Sequence, residues 1–545
     1  MIYQSYFLLL FLHILGVSAD WQFRSRPDLA PPKLNITIPA TSEAAPGYIF
    51  CAPFSGYADN RNHGPRQAAP YIFTQDGELV WSGFSLFSIW ATNFQAGKIN
   101  GENVLFSFEG SHNPFYGHGH GHITILNDKY ETVKELRAGK HKISDKHEFN
   151  IIDQKTGLIQ IYQPVPTDLT SYGGSKDQQW IVDAIFQEID LDTGKVLFEW
   201  SSLDHASPKD SVVPLTPDQA GSGYNSSDAW DYFHINSVDK DEEGNYLLSA
   251  RDMASLYKID GKTGEILWKL GGIPGKTSTN FTENEEFKFG FQHHARFLAT
   301  SPDGNKQIIS FYDNSAHGSE DKDGRVLKIN DHSSGKIVEV DTKNWTAKLL
   351  QNYEPPYDLL SKSQGSTQVL ENGNVLVNWG SEGAVTEYTH DGEPIFHAFF
   401  DSGSLGDNVE NYRAFKYQWH GFPTEDVALF SETTIDNETI MYVSWNGDTE
   451  TKKWNFYRVG DSGKRTILGE IERSGFETSF KVPSIVEDPI IAEAVDASGN
   501  VISISSAVTS VEQVLPLNTK IEKKSSKDFL DYFSWKAAQT FFSGI

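Results

Sequence analysis

"WDYFHINSVDKDEEGNYLLSARD", residues 230–252, sets an apolar run, a polar turn at Glu-Gly-Asn and a second apolar run in succession, with His234 heading the first. Apolar and aromatic residues on either side of a glycine-bearing turn spell a β-hairpin. The arrangement recurs. Copies read "NFQAGKINGENVLFSFEG" from Asn93, "HEFNIIDQKTGLIQIYQP" from His147, "HARFLATSPDGNKQIISFYD" from His294 and "STQVLENGNVLVNWGS" from Ser366. A looser copy, "HGFPTEDVALFSETTIDNETIMYVSWNG", begins at His420. A second hairpin follows most copies, as in "IDLDTGKVLFEW" (189–200), "IDGKTGEILWKL" (259–270), "VDTKNWTAKLL" (340–350) and "THDGEPIFHAF" (389–399). Its turns use Asp, Asn and Gly, residues that close tight turns.

Two hairpins make a four-stranded unit. Six units from Asn93 to about residue 480 predict an all-β protein, a six-bladed β-propeller. Their starts lie 54 to 87 residues apart, more than the roughly 40–50 of compact blades, so loops are inserted. The widest interval holds the polar stretch "SSLDHASPKDSVVPLTPDQAGSGYNSSDAWDYF". A β-sandwich with long loops is the alternative, but it does not call for six copies in phase. The predicted organisation is a signal peptide over 1–19, an N-terminal β segment over 20–80, the propeller over 81–480, and C-terminal strands with a short amphipathic tail over 481–545.

The chain has 545 residues, enough for a large core, and its 13% aromatic content with 45 Gly suits β structure. A formal charge of −27 repels a phosphate backbone, so nucleic acid is excluded as a partner. Near the N-terminus, the apolar run Phe7 to Leu15 is followed by the small-residue pattern Val17-Ser18-Ala19. The run is too short to span a bilayer and fits a secretory signal peptide, although Lys and Arg are missing ahead of it. No later segment reaches spanning length. Five glycosylation sequons, at Asn35, Asn225, Asn280, Asn344 and Asn437, agree with export to the extracellular space. The single cysteine, Cys51, cannot form a disulfide within the chain.

In a propeller the first strand of each blade lines the central channel, so the heads of the six copies form one ring: Asn93, His147, His234, His294, Ser366 and His420. Strand alternation adds Asn236, Arg296 and Gln368 on the same face. Imidazoles, a fixed cation and amides suit an anionic group that is bound and transferred.

"DYFHINSVDKDEEGNYLLSARDMASLYKIDGKTGEILWKLGG" and "FGFQHHARFL" closely resemble the arylsulfotransferase family, and in particular its secreted eukaryotic branch typical of fungi. "HEFNIIDQKTGLIQIYQPVPTDL", "WIVDAIFQEIDLDTGKVLFEW" and "GSTQVLENGNVLVNWG" extend the likeness over most of residues 45–460. The resemblance implies a six-bladed propeller that moves a sulfuryl group from a phenolic sulfate ester to a phenol, with no nucleotide sulfate donor and no cofactor. It implies channel histidines and an arginine as catalytic groups. His234 and His294 match. Asp313 and Asn314 in "FYDNSAHGSEDKDGRVLKI" point to Arg325 as that arginine, and His147 and His420 are available for a further histidine. Arg296, Asn236, Ser366 and Gln368 are the candidate substrate-binding groups. Two other readings stay open: a non-catalytic propeller binding a phenolic or glycan ligand, and a quinoprotein-like oxidoreductase.

"GHGHGHITIL" places His118, His120 and His122 at alternate positions, where a strand would align them for a metal. With no evident acidic partner the stretch reads as a loop rim, and no metal is expected. The chain carries no phosphate loop, Gly-x-Ser-x-Gly elbow or His-Glu-x-x-His motif.

Overall fold

The computed structural model describes residues 20–56, 64–87, 90–113, 117–215, 220–282, 287–318, 327–402 and 408–513. The expected signal peptide, the aromatic tail and Arg325 lie outside the described residues. The described chain is almost wholly β, and among its residues no helix is long and apolar enough to cross a membrane.

The opening stretch folds as read. Ile235–Lys240 pairs antiparallel with Tyr246–Ala250, and the turn is held by Asp241, whose Oδ1 accepts from the Glu243 and Asn245 amides at 3.1 and 2.8 Å. Gly244 there has φ 89°, a left-handed conformation that glycine adopts without strain. Ser255–Ile259 and Ile266–Gly271 complete this third sheet. The second strand is buried on both faces, which is why "YLLSA" does not alternate.

Four further sheets follow the same strand order. The first is Ala91–Ile99, Glu102–His112, Gly119–Asn127 and Thr132–Leu136; the second is Phe149–Ile152, Thr156–Pro166, Trp180–Asp190 and Val196–Ser201. The fourth is His293–Thr300, Lys306–Asp313, Ser334–Asp341 and Thr346–Tyr353. The fifth is Ser366–Val369, Val375–Asn378, Ala384–Tyr388 and Pro394–Phe399, with Asn35–Ile38 added on its outer edge.

The sixth sheet corrects the sequence reading. It joins Phe415–Tyr417 to Tyr48–Cys51, Tyr71–Phe73 and Leu79–Ser82, so residues expected to lead into the repeat supply three of its strands. The copy read from His420 lies elsewhere. Its hairpin, Ala428–Thr433 with Thr439–Ser444, joins Glu477–Val482 and Val511–Glu512, and a companion sheet comprises Arg465–Glu472, Lys453–Val459, Ile490–Val495 and Val501–Ile504. These two sheets share a core of Met441, Val443, Trp454, Phe456 and Ile490, and the expected boundary at 480 falls inside a strand of the pair. The physical reason is ring closure: Phe415–Tyr417 pairs with Tyr48–Cys51, so the sheet that meets both the fifth and the first is built from a late and an early segment of the chain.

The inner strands contact one another in a cycle: first to second, second to third, third to fourth and fourth to fifth. The fifth and sixth sheets touch through Val375–Asn378 and Phe415–Tyr417, and Tyr48–Cys51 returns the chain to the first. Apolar side chains fill the gaps between sheets, as where Trp81 stacks on Phe94 at 5.5 Å and Phe186 meets Tyr246 edge to face at 4.9 Å. Such pairs add about 0.5–1.5 kcal/mol each beyond area burial.

Candidate active site

At the leading ends of the inner strands the backbone departs from regular pairing. Register shifts fall between Thr92 and Gln95, Ile235 and Ser237, and His293 and Arg296. Asn93, His234 and His294 have φ of 57°, 55° and 53°. Asn and His are among the residues that tolerate this left-handed region, and bulges of this kind re-aim side chains.

His234 is held by the segment preceding it. The Asp231 Oδ1 accepts the His234 amide at 3.0 Å, and Oδ2 meets the imidazole Nδ1 at 2.6 Å. The same Oδ2 lies 2.7 Å from Nε2 of His118. Burial opposes the Asp231 charge, but His234 and His118 together hold its carboxyl below the usual range. His147 is held in parallel fashion: Asp145 Oδ1 bonds Nδ1 of the ring and accepts the His147 amide at 2.8 Å, and its Oδ2 accepts from the Gly119 amide at 2.6 Å. Burial, reinforced by His234 and Lys146, keeps the His147 imidazole well below 6.5 and so neutral. The two rings meet edge to face with centroids 4.8 Å apart. Tyr162 lies 5.3 Å from His234 and 5.5 Å from His147, and Tyr412 lies 5.5 Å from His147.

The fourth sheet contributes His293, a residue the sequence reading passed over. Its Nδ1 donates to Asn314 Oδ1 at 2.7 Å, its Nε2 accepts from the Gln364 amide at 3.3 Å, and the ring is 6.3 Å from Tyr412. Burial and Arg251 push this imidazole well below 6.5. Arg251 bonds Asp252 at 2.9 Å and the Lys362 carbonyl at 3.0 Å. Lys146 lies 5.3 Å from the Tyr412 ring and 3.2 Å from His112 Nδ1.

The other expected groups part company. His294 turns away: its Nδ1 lies 3.1 Å from the Thr367 carbonyl oxygen and its ring 5.4 Å from Phe415. Arg296 is engaged by Glu148 at 2.9 Å. That buried carboxylate also takes Arg413 at 3.0 Å, and Arg413 donates to the Asn236 carbonyl at 2.8 Å. Burial raises the Glu148 pKa, but the two guanidiniums outweigh it and hold the carboxyl below its ordinary value. Asn236 donates to the Gln292 carbonyl at 2.7 Å, and the Ser366 hydroxyl to the Ala414 carbonyl at 3.2 Å. Gln368 stands at the opposite, trailing end, in a cleft of about 760 Å³ also lined by Lys98, Lys416 and Trp419.

His420 does not reach the cluster. It is 68% exposed and paired with Glu450 at 2.9 Å, because its hairpin belongs to the C-terminal pair of sheets. The histidines of "GHGHGH" also diverge: His118 faces Asp231, His122 lies 3.7 Å from Glu109, and His120 is exposed. Asn35, Asn225, Asn280, Asn344 and Asn437 all occupy exposed positions. The only sequence signal for His293 is its place in "QHHARF".

No curated protein matches the chain. Among solved structures, a protein of unknown function from Bacteroides caccae is 10% identical, with 68% of this chain and 99% of that one covered, at a TM-score of 0.35. A protein from Lactobacillus plantarum is 11% identical, with 80% and 99% covered, at 0.31. The PQQ-bound aldose sugar dehydrogenase of Streptomyces coelicolor is 14% identical, with 55% and 83% covered, at 0.20. Likeness this low carries no argument. The model of the Arylsulfotransferase (ASST) family, by contrast, matches residues 95–401, more than half of the chain and the whole segment bearing His118, Asp145, His147, Asp231, His234 and His293. The chain therefore belongs to the arylsulfotransferase family.

Proposed function

We propose that this chain is an exported, glycosylated aryl sulfate:phenol sulfotransferase whose six sheets are the blades of a propeller, with the carboxylate-held imidazoles in its central channel. The observation that carries the reading is the pairing of two buried Asp–His dyads, Asp145–His147 and Asp231–His234, with ring centroids 4.8 Å apart inside the family-matched segment.

The dyads suit different roles. His147 is neutral, its Nδ1–H donating to Asp145 Oδ1, so Nε2 carries the lone pair that attacks sulfur. As the nitrogen–sulfur bond forms, the sulfur–oxygen bond to the aryl group breaks, and the departing phenolate oxygen takes a proton from His234. Asp231 stabilises the imidazolium that supplies this proton. In the second half, His234 accepts the proton of an acceptor phenol. That oxygen attacks sulfur, the sulfur–nitrogen bond breaks, and His147 is restored. Lys146 and Arg251 provide positive charge for the sulfonate oxygens, and Tyr162 and Tyr412 provide aromatic faces for the phenyl ring. Arg296 serves with Arg413 and Glu148 to tie the inner strands together.

The test is release of a chromogenic phenol from its sulfate ester, with and without an acceptor phenol. Acceptor-dependent release is expected in the wild type and in His420→Ala. His147→Ala and His234→Ala should lose about 10²–10⁴-fold in kcat/KM. Ligand binding without release would favour a non-catalytic propeller, and dye reduction dependent on an added quinone would favour an oxidoreductase.

A further inference from the structure

His118, Asp231 and His234 present three metal-ligating atoms that all lie within 4.8 Å of one another. The donors come from two distant segments, the approach to Gly119–Asn127 and the approach to Ile235–Lys240. Both ring nitrogens are aimed at a single oxygen, Asp231 Oδ2, at 2.7 and 2.6 Å. The geometry points to a site for one divalent first-row transition ion, of the zinc or cobalt class, held by His118 Nε2, Asp231 Oδ2 and His234 Nδ1.

The surroundings hold these donors in place without the ion. Asp231 Oδ1 is committed to the His234 amide, which fixes the direction of Oδ2. Tyr162 stacks on the His118 ring at 4.1 Å, and the two imidazoles stack at 5.8 Å. Two imidazoles and a carboxylate are a ligand set typical of zinc and related ions, with further positions left to water or substrate. Ligands about 2.1 Å from a metal sit about 3.0–3.4 Å apart, so Oδ2 draws back from each nitrogen by about half an ångström while the two ring nitrogens, up to 4.8 Å apart, close on each other by about 1.4 Å. The movement falls to His118, whose side chain is 15% exposed, while Asp231 and His234 stay buried at 2% and 7%. Loading requires both facing nitrogens to be bare. Each neutral ring then carries its proton on the other nitrogen, and any imidazolium releases one proton on binding. By contrast, Asp145 faces one imidazole and forms a hydrogen-bonded pair. Nearby His120 is exposed and His122 turns to Glu109, so neither completes the set.

The ion would replace the proton between Asp231 and His234 that the proposed transfer uses, so the metal-loaded and transfer-competent states are distinct. Metal uptake is measured without any transfer assay, and its failure is separable from failure of the proposed activity. The full chain, stripped with a chelator, is dialysed against graded Zn²⁺ and its metal content measured. Co²⁺ in the same site reports its ligand geometry through visible absorption. One ion per chain is expected in the wild type and in His120→Ala. Affinity should be weakened at least about tenfold in both His118→Ala and Asp231→Asn. His118→Ala keeps the test decisive if Asp231→Asn does not fold. Absence of stoichiometric uptake by the wild type would overturn the site, as would uptake that survives His118→Ala but disappears in His120→Ala.

Discussion

At the leading ends of the inner strands every imidazole of the cluster is gripped by a second polar side chain: His147 by Asp145, His234 by Asp231, His293 by Asn314. At the trailing ends, Gln368 clasps backbone instead, donating to the Lys416 carbonyl at 3.1 Å and accepting its amide at 2.8 Å, beside an open cleft. One end orients imidazole rings; the other only ties two sheets together. Between them Glu148 holds Arg296 and Arg413. The difference teaches that equivalent places in a repeat acquire chemistry from their neighbours, not from repetition.

The sharpest break of this contrast is at its midpoint. Glu148→Gln leaves two buried guanidiniums without their shared counterion and should destabilise the fold by about 3–5 kcal/mol in denaturant melts. A loss below about 1 kcal/mol would mean that the three groups are not a structural pin.

Acid separates the two ends next. The folded imidazoles of His147, His293 and His294 are held well below 6.5, chiefly by burial, with neighbouring cations adding to it. Above about pH 7 neither the folded nor the unfolded chain protonates them, so stability is flat. As pH falls through about 6.5 the unfolded chain takes up protons and the folded chain does not. Each imidazole then removes about 1.4 kcal/mol of stability per pH unit. Unfolding midpoints measured from pH 7.5 to 5.5 should fall steadily; unchanged midpoints would contradict the buried neutral rings.

The smallest effect belongs to the trailing end. Gln368→Ala should cost about 1 kcal/mol, the worth of its inter-sheet hydrogen bonds, and leave phenol release unchanged. A large loss of release would move substrate binding to the cleft.

Much of this was legible in the sequence. The hairpin repeat located five sheets, because paired apolar runs and Asp- and Gly-bearing turns are local properties. Sheet six was not, because its strands Phe415–Tyr417 and Tyr48–Cys51 are brought together only by the closed circuit of the fold. His147 and His234 were legible as strand heads. His293 was not, since two-residue alternation assumes unbroken pairing, and the register shift between His293 and Arg296 breaks it. Asp145, two residues before His147, reads in the sequence equally as an orienter of an imidazole or as a turn cap, and the fold shows it bonded to the His147 ring. That Asp231 faces two rings depends on His118, 113 residues away.

The central claim is that His147 carries the sulfuryl group, and trapping that intermediate tests it most directly. The protein is exposed to an aryl sulfate without acceptor, then quenched, digested and mapped by mass spectrometry. The account predicts one sulfuryl group on the peptide bearing His147, discharged by added phenol and missing in His147→Ala. A sulfuryl group on any other residue, or full transfer by His147→Ala, would contradict it.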